Sequence, residues 1–114
     1  MENTKETIVA RAYDLLKHSL PIIEGFPRSQ KFTLGDRLQN HLSDLLEMII
    51  EAYYLPAAEK RPALQKVNIK LEQLRYFFRL AFDRGHYNSI RYNEFAQRID
   101  EIGRMVGGWL KSLK

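Results

Sequence analysis

No cysteine occurs anywhere in the sequence, and its absence excludes disulfides, thiolate metal sites and a thiol nucleophile. Apolar runs are short, and none approaches the roughly 20 residues that span a bilayer. The opening stretch MENTKETIVAR lacks the apolar segment of a secretory signal. Together these absences lead to the expectation of a cytoplasmic protein that makes no membrane contact. The three histidines, His18, His41 and His86, have no ligand spacing with one another. Neither EMII nor EIGR supplies the Glu-x-x-His pairing of di-metal bundles. Ser19, Ser29, Ser43, Ser89 and Ser112 lie in no nucleophile elbow. FTLGDR holds one glycine and is not followed by GK[ST], so it is not a phosphate-cradling loop. The expectation is a non-catalytic protein with no metal and no cofactor.

What is present is helical periodicity. In 114 residues there is room for one core, and β-branched alternation is too sparse for strands. Four amphipathic stretches are expected to form helices at about residues 4–24, 33–55, 63–84 and 89–112. In the first, Ile8, Val9, Ala12, Tyr13, Leu16, Leu20 and Ile23 recur at helical spacing. The second opens on TLGD, where Thr33 and Asp36 have the spacing of a reciprocal cap, and carries Leu34, Leu38, Leu42, Leu45, Ile49 and Tyr53 on one side. Pro56 and Pro62 bracket the next joint, and Gly85 has the position of a left-handed cap. The last helix presents Tyr92, Phe95, Ile99, Ile102, Val106, Trp109 and Leu113. Short joints favour an all-α, up-down-up-down four-helix bundle forming a single domain over residues 1–114.

On a helical wheel of the third stretch, Leu64, Val67, Leu71, Leu74 and Phe78 make the arc that faces the core. Lys66 and Lys70 fall on one shoulder of that arc, and Arg75 and Arg79 on the other. Behind them Ile69, Tyr76, Phe77 and Leu80 point away from the core, a patch that a monomer would expose. The expectation is an oligomer whose subunits touch through this face, with Leu15 and Ile22 adding to it from the first helix. Gly103, with Ala96 and Gly107 near it, reads as a place of close helix approach at the oligomer interface, which offsets the cost of glycine inside a helix.

Charge is uneven along the chain. Residues 31–55 hold two basic groups against four acidic, whereas residues 56–84 hold seven against three and residues 85–114 five against three. Lys66, Lys70, Arg75, Arg79, Arg84, Arg91 and Arg98 are therefore candidates for neutralising phosphates without reading bases. Tyr76, Tyr87 and Tyr92 are candidates for stacking on unpaired bases or for packing at an interface.

Three segments, FPRSQKFTLGDRLQNHLSDLLEMIIEAYY, NIKLEQLRYFFRLAFDRG and EIGRMVGGWLKS, resemble in that order the accessory variability determinant proteins of diversity-generating retroelements. More distantly they resemble the four-helix proteins encoded within intervening sequences of bacterial 23S ribosomal RNA genes. The first resemblance implies a basic four-helix bundle that assembles into a homopentameric barrel, associates with the retroelement's reverse transcriptase and binds nucleic acid. It implies support for copying template RNA into mutagenised cDNA, with phosphoryl transfer left to the polymerase. It also marks Arg75 and Arg79, within LRYFFRLA, as candidates for polymerase or nucleic-acid contact. The alternative is a protein-only oligomeric scaffold, or an intervening-sequence-type protein, without strong nucleic-acid binding. The net charge of only +4 and the acidic second helix keep that alternative open.

Overall fold

In a computed structural model, which describes the backbone of residues 4–113 and the side chains of residues 7–113, four helices run antiparallel to their neighbours around one core. Helix α1 is Thr4–Glu24. Helix α2 covers residues 28–54 in three consecutive pieces, Arg28–Gln30, a wide π-helical turn Lys31–Gly35, and Asp36–Tyr54. Helix α3 is Ala57–Asp83 and α4 is Ser89–Ser112. The described residues contain no strand. The resulting rod measures 46 × 23 × 20 Å. Helix α2 packs on α1 and α3, and α4 closes the bundle against α3 and α1.

The third stretch folds on the expected face: Leu64, Val67, Leu71, Leu74 and Phe78 are all buried. Phe78 stacks on Phe95 of α4 with ring centroids 4.2 Å apart. Helix α4 likewise buries Phe95, Ile99, Ile102, Val106 and Trp109. The first helix is rotated from expectation. Its buried stripe is Ile8, Ala12, Leu15, Ser19 and Ile23, while Tyr13 is 51% exposed. Leu15 is therefore a core residue and not an interface residue. The buried Ser19 explains the offset, because its hydroxyl donates to the Leu15 carbonyl at 2.6 Å and a satisfied serine occupies a core position that an apolar pattern leaves blank.

Two helix starts also differ. The expected reciprocal cap of Thr33 and Asp36 does not form, because α2 begins five residues earlier, after Pro27. The Thr33 hydroxyl instead donates back to the carbonyls of Ser29 and Gln30 at 3.4 and 3.3 Å. Helix α3 begins at Ala57, so that Pro62 lies inside it on the exposed side. The tight joint is held by Lys60, whose ammonium donates to the last carbonyls of α2, those of Ala52 (3.1 Å) and Tyr53. At the other end of α3 the left-handed cap is as expected: Gly85 has φ +80°, its amide donates to Phe82 and the amide of His86 to Ala81. Asn88 then caps α4 by accepting from the Arg91 amide at 2.9 Å.

Candidate nucleic-acid and protein interfaces

Seven cations were singled out by sequence, and the fold distributes them over three seams. Lys70 turns toward α2. Its ammonium sits 2.9 Å from His41 Nδ1 and 3.6 Å from Asp44 Oδ2, with only 15% of the side chain exposed. Arg75 turns toward α4 and forms a fork, donating at 3.0 Å to Glu72 on its own helix and at 3.0 Å to Asp100 across the seam. Arg91 turns toward α1, donating to Glu94 at 3.3 Å and reaching His18 Nε2 at 3.4 Å. Arg98 is half-buried in the neighbourhood of the same histidine.

The remaining three are more open. Arg79 is 62% exposed and meets Asp83 only at 3.8 Å. Arg84 caps the end of α3 and makes no ion pair among the described residues. Lys66 is exposed beside Glu51 and Glu59 in a hollow between α2 and α3. Within one protomer these groups do not make a continuous belt.

Carboxylates account for most of the difference between a basic sequence and the basic surface that is free to act. Glu72 lies within helical reach of Arg75 in the sequence, but Asp44 and Asp100 belong to other helices. Only the fold brings them to Lys70 and Arg75.

The surroundings of the three histidines all disfavour the charged ring. Burial, then Arg98 and Arg91, lower the pKa of His18 against a smaller opposing effect of Glu94. Burial, then Lys70 and Arg37, lower that of His41, with Asp44 opposing. Burial and Arg84 lower that of His86. A lysine ammonium only donates, so His41 Nδ1 accepts from Lys70 and the ring carries its proton on Nε2. The ring lies over Phe77 with centroids 4.9 Å apart. Among the described residues no group of His, Asp and Glu is arranged to hold a metal ion, and no helix is long and apolar enough to cross a membrane.

The outward apolar residues divide into two. Ile69 and Tyr76 stand in solvent, 58% and 62% exposed. Phe77 is half-covered by His41 and by the Arg37 guanidinium, 5.7 Å from its ring centroid. Leu80, 44% exposed, borders the same α2–α3 hollow as Phe77. Gly103 faces α3 of its own protomer, where an added Cβ would lie 3.6 Å from Arg75 Nη2 and 3.9 Å from Leu71 Cδ1. These are ordinary van der Waals distances, so packing inside the protomer does not itself require a glycine at 103.

Of the three tyrosines that are stacking candidates, Tyr76 is the exposed one, at 62%. The Tyr87 hydroxyl donates to the Phe78 carbonyl, its ring packs on Phe95 and Phe26, and burial raises its pKa. Tyr92 is stacked on Phe82 at 4.8 Å. Sequence reasoning missed Phe32, which is 66% exposed on the wide turn of α2. Its position could not be found from a regular 3.6-residue period because the turn breaks that period.

Comparison with curated proteins finds no match. A family model described as bAvd-like matches residues 7–113, which covers all three segments quoted above, and accessory proteins of that kind are generally non-catalytic. On that match and the four-helix architecture, the chain belongs to the bAvd-like family, a membership that suggests an accessory protein of a diversity-generating retroelement.

Proposed function

We propose that this protein is the non-catalytic accessory subunit of a diversity-generating retroelement, which holds the reverse transcriptase on template RNA and its cDNA during mutagenic copying. The family match over residues 7–113 carries this reading. In it, several copies, five by resemblance, join through the outer face of α3, where Ile69 and Tyr76 are exposed. Symmetry then repeats the open cations Arg79 and Arg84 around a ring, so a modest charge per protomer sums to a field that gathers a polyanion. Contacts to phosphates give affinity with little base specificity.

The test is titration of single-stranded RNA at several salt concentrations, with the mass of the protein measured in parallel. Each phosphate neutralised contributes about 0.7 to the slope of log affinity against log salt, so binding is expected to fall steeply as salt rises. Affinity indifferent to salt refutes the nucleic-acid role. Charge reversal at Arg79 together with Arg75 is expected to weaken capture of polymerase and RNA from a helical oligomer.

A second reading, the protein-only scaffold, is favoured by the internal pairing of Lys70, Arg75 and Arg91. Under it the oligomer forms and RNA is not bound.

A further inference from the structure

The seam between α2 and α3 carries two hollows of opposite charge. One, of about 430 Å³, is lined by Leu34, Phe77 and Leu80 with Thr33 and the single charge of Arg37. The other, of about 390 Å³ toward the opposite end of the rod, has apolar lining from Met48, Leu55 and Ala63 and carries the carboxylates of Glu51 and Glu59 against the one ammonium of Lys66. Arg37, Glu51 and Glu59 are exposed and form no ion pair among the described residues. Between the hollows Lys70 is neutralised by Asp44 and tied to His41, so the middle of the seam adds little field of its own. Arg37 and Glu51 are fourteen residues apart on α2, about 21 Å or four helical turns.

We propose that this seam docks an amphipathic α-helix of a protein partner, with its acidic first turn over Arg37 and its basic last turn over Glu51 and Glu59. The two apolar floors accept side chains from one face of such a helix, the usual mode of helix-in-groove recognition. Carboxylates at the start of a helix and cations at its end also suit the helix dipole, so the docked helix runs parallel to α2. The charges at the two rims set orientation and register more than affinity. A phosphate chain is a poor occupant, because Glu51 and Glu59 repel it at one end. The inference rests on the accessory role only in requiring a protein partner, and it assigns that partner a face distinct from the arginines turned toward α4.

The test uses the full chain and two synthetic helical peptides of about 18 residues, roughly 27 Å as a helix. Both carry a Leu/Ala face. One has Glu in its first turn and Lys in its last, and the other has Lys in both. Fluorescence anisotropy is expected to give about tenfold tighter binding of the first peptide. The charge exchange Arg37→Glu, which makes both rims acidic, is expected to reverse that preference in favour of the second peptide. Ala63→Trp, which fills one hollow and leaves every charge in place, is expected to weaken both peptides about tenfold.

Circular dichroism establishes that each variant is folded. Absence of binding, equal affinity for the two peptides, a preference untouched by the charge exchange, or indifference to Ala63→Trp overturns the proposal. A change in oligomeric mass on charge exchange also overturns it, by assigning the seam to a second copy of the chain. RNA affinity of the unaltered protein is measured separately, so failure of the nucleic-acid role and failure of this docking face are distinguishable.

Discussion

Arg75 looked from the sequence like a spare cation and is a brace between two helices. Its fork to Glu72 and Asp100, both at 3.0 Å, ties α3 to α4 beside Gly103. Because the side chain is 38% exposed, the pair is screened and worth at most about 1 kcal/mol. Arg75→Ala is expected to lower Tm by roughly 4 °C. Arg79→Ala, with one long contact, should stay within about 0.5 kcal/mol of the parent. A thermal scan of both variants checks this, and equal losses would deny the brace.

The histidines make a prediction of opposite visibility: no pattern in the sequence shows that their charged forms are disfavoured. His41 faces Lys70 from α3 and Arg37 and Asp44 from its own helix, and its pKa, like those of His18 and His86, lies below the ordinary 6.5. The unfolded chain therefore takes up protons that the folded chain refuses. Stability is full above about pH 6.5 and declines as pH falls below it toward the folded values. Tm measured between about pH 8 and pH 5 should drop on the acid side, and His41→Gln should flatten part of that drop. A rise in Tm on acidification would contradict the assignment.

Among the elements, the core face of α3 from Leu64 to Phe78 was legible residue by residue, because those apolar positions are large and evenly spaced. The small Ala81 and the start at Ala57 were not. Helix α1 was not, since Ser19 hides a core position. Helix α2 was misjudged at its start, since the wide turn has no signature in a periodic pattern. Gly35 marks that turn from the inside: a Cβ there would lie 3.1 Å from Ile23 Cγ2 and 3.6 Å from Phe26 Cδ2. Ile23 is buried and β-branched, with little freedom to withdraw. Gly35→Ala is therefore expected to cost about 1–2 kcal/mol by overpacking. Gly107→Ala meets nothing within 4 Å and is expected to stabilise the isolated bundle by about 0.5–1 kcal/mol. Urea unfolding of the two variants should move the midpoint in opposite directions. A loss of assembly with Gly107→Ala would instead show another subunit lying on that glycine.

At the scale of the molecule, the bundle followed from four stripes and three short joints, which leave antiparallel neighbours as the economical packing. The charged surface did not follow, because pairing across seams joins residues such as Arg75 and Asp100 that are far apart in the chain. The outward residues of α3 were legible as exposed, and they did prove so at positions 69, 76 and 80, but what covers them belongs to other molecules. Replacing Ile69 with Asp and Tyr76 with Ser is expected to leave helicity intact and reduce the mass in solution toward the 13.5 kDa of one chain. An unaltered large assembly would place the subunit contact elsewhere.

The wide turn of α2 has an evolutionary consequence. A π-helical turn holds one residue more than an α-helical turn, so losing one residue from 31–35, the exposed Phe32 for example, can tighten the coil while everything from Asp36 onward keeps its bearing. The same loss within residues 38–52 would swing every following side chain by about 100° and trade interior for exterior. Length variation among relatives of this chain should therefore collect at that turn and be purged from the rest of the helix.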